Sequence, residues 1–118
     1  MRFYDAAEVH GLAAIFYGRL GQPEVAEYRA HHALALLRPE LLRNRIYYTL
    51  TLALAQVQQR DVARACTTAD QAAALAGPTP ASARIRGLFG DFRTRLTAVA
   101  PQEPAARDWL QRTAPDAP

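Results

Sequence analysis

Residues 13–37, AAIFYGRLGQPEVAEYRAHHALALL, return at residues 52–76 as LALAQVQQRDVARACTTADQAAALA. Ala14, Ala26, Ala30 and Ala33 of the first copy fall on Ala53, Ala65, Ala69 and Ala72 of the second, each at an offset of 39 residues. Small residues thus recur where two helices would touch. A period between roughly 20 and 50 residues marks architectures whose units bury their apolar faces only by stacking on one another. The expectation is a scaffold that binds a partner and has no catalytic role.

Prolines punctuate the chain around this repeat. Pro23, Pro39, Pro78, Pro80, Pro101, Pro104, Pro115 and Pro118 all lie between or beyond the periodic segments, where a missing N–H is harmless at a first helical turn and would be disruptive inside a helix. Six helices are predicted. The first spans about residues 5–20 with Val9, Leu12, Ala13, Phe16 and Leu20 as its apolar stripe, and Gly21 allows the turn into a second at 23–37, lined by Ala26, Ala30, Ala33, Leu34 and Leu37. A third, at 40–59, is apolar nearly all round through Ile46, Tyr47, Tyr48, Leu50, Leu52, Ala53, Leu54, Ala55 and Val57, as expected of a central helix.

A fourth, at 61–76, has Asp61 as its N-cap, buries Ala65, Ala69, Ala72 and Ala73, and stops at Gly77-Pro78. A fifth, at 80–99, starts from Thr79-Pro80 and buries Ile85, Leu88, Phe89, Phe92 and Leu96. A short sixth, at 103–113, offers Ala106, Trp109 and Leu110 to close the end of the stack. No β pattern competes: the one run rich in β-formers, Ile46 to Thr51, sits inside a longer helical period. The predicted organisation is one domain over residues 1–113, with units at about 5–37, 40–76 and 80–113, and a disordered tail at 114–118.

Composition narrows the chemistry. All fourteen basic residues are arginine, so no lysine is present to form a Schiff base or to bind phosphate in a P-loop. The net charge of +3 is concentrated in residues 80–100, where Arg84, Arg86, Arg93 and Arg95 face a single acid; these four form a candidate anion-binding set. Cys66 stands alone, which rules out an internal disulfide, and no basic stretch runs into a continuous apolar segment as in an export signal. A cytoplasmic location is expected. No run approaches the ~18 apolar residues of a membrane span.

LAAIFYGRLGQPEVAEYRAHHALAL and TLALAQVQQRDVARACTTADQAA resemble the tetratricopeptide repeat. Ala13, Ala14, Tyr17, Gly21, Ala26, Ala30 and Ala33 match its pattern in the first unit, and Leu52, Ala53, Ala65, Ala69 and Ala72 in the second. The second unit departs at Gln56 and Arg60, where the family has tyrosine and glycine, and the offset of 39 exceeds the family's usual interval of about 34. The resemblance implies an all-α, right-handed stack of antiparallel helical hairpins, a tetratricopeptide-like α-solenoid.

The succession YDAAEVHGLAAIFYGRLGQ, RPELLRNRIYYTLTLALAQ and RDVARACTTADQAAALAGPTPASARIRGLFGDFRTRL is similar to the C-terminal sensor region of bacterial Xre-type helix-turn-helix transcriptional regulators. In that family an N-terminal domain binds DNA, and the repeat region mediates oligomerisation or partner and effector binding. Only about four residues precede the first helix here, so contact with DNA is expected only indirectly, through a missing helix-turn-helix domain. A fragment, a diverged stand-alone repeat protein and one half of a split regulator all fit that reading.

No reactive constellation emerges. Ser82 falls in the first turn of the fifth helix without a nucleophile elbow around it, and Cys66 reads as a small apolar residue of an alanine-rich helix. His31 and His32 diverge by about 100° on their helix, and His10 can meet one of them across the first hairpin, short of the ligand count a metal needs. Glu24 and Glu27 suit a helix N-terminus, and no cofactor is implied. The resemblance directs attention to a groove lined by first helices of successive units: Glu8, Gly11, Ile15, Gly18 and Arg19 from one, Tyr47, Leu50, Leu54, Val57 and Gln58 from the other. Tyr47 and Arg19 are the favoured anchors, whereas burial against the fifth helix competes for Leu50 and Leu54. The expected partner is a protein or peptide, with a homodimer as a further expectation; direct nucleic-acid binding through the fifth helix and a small-molecule carrier role are the alternatives.

Overall fold

In a computed structural model, residues 5–78 and 82–114 are described, and among them the chain forms six α-helices and no strand. They are α1 (Ala6–Arg19), α2 (Pro23–Leu36), α3 (Leu42–Gln58), α4 (Val62–Ala76), α5 (Ala83–Val99) and α6 (Pro104–Arg112). None of these helices is long and apolar enough to cross a membrane. The expected start of α5 at Thr79-Pro80 and the tail at 115–118 lie outside the described residues.

Local chemistry sets the ends. The Asp5 carboxylate accepts the Glu8 N–H at 2.8 Å and caps α1, and Ser82 accepts the Ile85 N–H at 3.2 Å and caps α5. Pro23 and Pro104 occupy the first turns of α2 and α6. Asp61 stands at the N-cap position of α4 but makes no side-chain cap; its carboxylate faces Arg64 at 3.9 Å instead.

The two turns related by the sequence repeat have the same hand. Gly21, between α1 and α2, has φ +75°, and Arg60, its counterpart between α3 and α4, has φ +64°. The left-handed turn is therefore kept without the glycine, at a cost of about 1–2 kcal/mol for a side chain in that region. The Arg60 guanidinium donates to the Val99 carbonyl at 3.3 Å.

Helices α1 and α2 form one hairpin and α3 and α4 another; α3 also packs against α1, α2 and α5, and α6 against α4 and α5. The resulting body measures 48 × 32 × 19 Å. Its interior is divided among several clusters. One gathers Ala53, Val57, Ala65, Cys66, Ala69, Phe92, Leu96, Ala106 and Trp109, and another joins Ile46, Leu50, Ala72 and Ile85. Phe92 and Leu96 are fully buried, each contributing on the order of 2 kcal/mol through apolar transfer. The Trp109 ring meets Phe92 edge-on at 5.0 Å. Arg112 of α6 reaches Asp70 of α4 at 3.2 Å.

The inward face of α1 differs from the expected stripe. Ala7, Gly11 and Ala14 are its buried residues, whereas Val9, Leu12, Phe16 and Leu20 are 49, 50, 57 and 55% exposed. The reason is close approach: the Tyr48 ring lies where a Cβ on Gly11 would project, and Gly18 faces Ala26. Only small residues fit there. On α4, Ala73 is likewise exposed, whereas Ala65, Ala69 and Ala72 are buried as the alanine spacing requires.

Candidate binding groove

A cleft of about 430 Å³ opens where α1, α3 and α5 meet. Its α1 side is Ala14, Ile15, Gly18 and Arg19, its α3 side Tyr47, Thr51, Leu54, Ala55 and Gln58, and its α5 side Leu88, Asp91, Thr94, Arg95 and Ala98. Close packing of α1 through its small residues leaves Ile15 and Arg19 free to face the cleft. Thr51 donates its hydroxyl to the Tyr47 carbonyl at 2.9 Å, which satisfies that side chain within its own helix. Leu88, Leu54, Ile15 and the alanines give apolar walls, and Arg19, Arg95, Asp91 and Gln58 supply polar groups. A concave apolar surface with a few polar anchors suits a ligand bound by burial and oriented by hydrogen bonds.

A smaller cleft of about 120 Å³ adjoins it, sharing Ile15 and Tyr47 and adding Leu12, Arg43, Asn44, Tyr48, Ser82, Arg84 and Ile85. Tyr47 is the hinge between the two. Its ring meets Tyr48 at 82° with 6.1 Å between centroids, and the Arg84 guanidinium lies 4.1 Å over it. Such a cation–π pair fixes both side chains. The Tyr48 hydroxyl has its pKa raised, first by burial and then by the charges of Glu8 and Asp5, so it remains a hydrogen-bond donor across the neutral range.

No protein-family model, curated protein or solved structure matches the chain.

Of the residues expected in a groove, Ile15, Gly18, Arg19, Tyr47, Leu54 and Gln58 come together in the larger cleft. Leu50 does not: it is fully buried with Ile46, Ala72 and Ile85, because α5 packs onto that face of α3. Val57 is equally buried, Gly11 lies under Tyr48, and Glu8 is outside the cleft lining. The sequence does not point to Leu88, Asp91 and Thr94 of α5 as groove residues, and it places Arg95 in the anion-binding set and not in the groove. Asp91, Arg95 and Ala98 sit at i, i+4 and i+7, a spacing that places them on one face.

The four arginines of α5 separate. Arg95 lines the larger cleft and Arg84 the smaller one. Arg93 instead donates to the Leu110 carbonyl and the Thr113 hydroxyl, both at 2.9 Å, and ties α5 to α6. Arg86 is exposed on the same helix.

The histidines do meet across the first hairpin. His10 stacks on His32 at 5.0 Å, and Arg29 donates to His10 Nδ1 at 3.2 Å, which requires an unprotonated Nδ1. Partial burial, then the charges of Arg29 and His32, lower the pKa of His10. His31 turns away to Glu27, 3.3 Å distant. Among the described residues no three His, Cys, Asp or Glu side chains come together as metal ligands.

Proposed function

We propose that this chain is a non-catalytic, tetratricopeptide-like helical module that binds a segment of a protein partner in the cleft between α1, α3 and α5, as the regulatory part of a bacterial transcriptional regulator or a relative of one. The observation that carries this reading is the cleft itself, where apolar walls from three helices surround Arg19, Arg95, Asp91 and Gln58. Buried apolar anchors supply most of the affinity in such a groove, and the polar groups fix register. The sequence repeat and its resemblance to tetratricopeptide units support the stacked-hairpin part of the reading. The similarity to sensor regions supports the regulatory part.

Panning a phage-displayed random peptide library against the full chain tests it. Enriched peptides should lose binding to an Ile15→Arg variant, which places a charge in the apolar wall at a partly buried position. Absence of any enriched peptide, or equal binding to the variant, overturns the reading.

A further inference from the structure

The face of α1 turned away from the fold carries the largest side chains of that helix. Val9, Leu12, Phe16 and Leu20 recur at spacings that keep them on one stripe, and each is about half exposed or more. Together they present on the order of 350 Å² of apolar surface, within the range of the largest apolar patches on monomeric proteins, which commonly mark interaction sites. This stripe lies outside the larger cleft, whose lining from α1 is Ala14, Ile15, Gly18 and Arg19.

The order of residues along α1 identifies what covers the stripe. If a second α1 is laid against it antiparallel, Leu12 faces Phe16 of the other copy and Phe16 faces Leu12, about a centre near Ala14. The same reversal sets Val9 against Leu20 about nearly the same centre. Glu8 and Arg19 stand eleven residues apart, roughly three turns, on one flank of the stripe. A two-fold axis perpendicular to both helices keeps that flank on the same side and brings Glu8 of each copy beside Arg19 of the other. One operation thus matches the apolar stripe to itself and acid to base at both ends, as an isologous interface demands. A standard interface buries ~800 Å² per partner, of which a little over half is apolar, and the stripe supplies most of that apolar share before its polar flanks are counted.

We propose that the α1 stripe is a homodimer interface, in which Val9, Leu12, Phe16 and Leu20 pack antiparallel against the same residues of a second copy and Glu8 pairs with Arg19 across the two-fold axis. Arg19 also lines the larger cleft and Leu12 the smaller one, but dimerisation needs no peptide in either, and a chain that binds no peptide still dimerises through α1.

Sedimentation equilibrium of the full chain tests it, with circular dichroism to follow folding. The wild-type chain should dimerise, and Phe16→Asp should weaken the dimer by at least about a hundredfold, since two buried rings are lost per dimer. Leu20→Ser should act in the same direction and serves if Phe16→Asp disturbs helicity. Glu8→Arg and Arg19→Glu should each weaken dimerisation by roughly tenfold, and the double variant should recover it, because the exchange restores opposite charges at both ends. A wild-type monomer at high micromolar concentration overturns the proposal. So does a dimer indifferent to both stripe substitutions, or a double variant no better than the single ones.

Discussion

The ring of Tyr48 occupies the space beside Gly11 into which a Cβ would project. This contact lets α1 lie close against α3 and turns the larger residues of α1 outward. Gly11→Ala should therefore destabilise the fold even though alanine is the better helix former: overpacking costs about 1–3 kcal/mol, against roughly 1 kcal/mol gained in helix propensity. Gly87 of α5 provides the control, since an added Cβ there meets nothing within 4 Å. Gly87→Ala should raise stability by about 0.5–1 kcal/mol. Urea unfolding of the two variants should move the midpoint in opposite directions.

Glu27 of α2 links three helices. Its carboxylate accepts from Gln59 at 2.8 Å and from Gln56 at 3.3 Å, and Gln56 in turn accepts the Thr68 hydroxyl of α4 at 2.6 Å. Burial alone would raise the Glu27 pKa, but hydrogen bonds from Gln59, Gln56 and His31, together with the charge of Arg64, bring it below its ordinary value. A carboxyl whose pKa is lower folded than unfolded adds stability above the unfolded value, near 4.3, and loses it as pH falls through the folded one. Wild-type stability should thus fall on acidification below about pH 4.5, and Glu27→Gln should show a shallower fall over the same window. Urea midpoints at several pH values read the difference, and identical slopes would contradict it.

Cys66 is buried on α4, and burial, then the negative charge of Asp70, push its thiol up to about 11. The thiolate is the reactive species, so a disulfide reagent at neutral pH should leave the folded chain unmodified. The same reagent should react fully once urea has unfolded the protein. Rapid labelling of the folded state would show that α4 opens locally.

Helical segments and their order were legible because proline and glycine mark the joints and alanines recur at fixed spacing. The face of α1 was not, since periodicity reveals a stripe without saying which side meets the fold, and bulk is not by itself a sign of burial. Here the buried side is the small one, because Tyr48 leaves room only for glycine. Arg60 shows a second limit: its left-handed φ of +64° is held by the turn, although the residue itself gives no hint of it. The groove was partly visible through Ile15, Arg19, Tyr47, Leu54 and Gln58. Its α5 wall was hidden by four arginines that read as one charged face and point to different neighbours.

A body only 19 Å across its shortest dimension has no residue far from water, and its apolar contacts fall into separate groups. The α1–α2 hairpin is held to the remainder chiefly through α3, with Arg64 of α4 adding an ion pair to Glu27 at 4.0 Å. Peeling it away exposes one face of α3 and leaves the cluster around Phe92 and Trp109 intact, so backbone amides of α1 and α2 exchange with solvent deuterium through a partial opening that those of α5 need not share. The first hairpin is in this sense a detachable end, protected by less free energy than the whole.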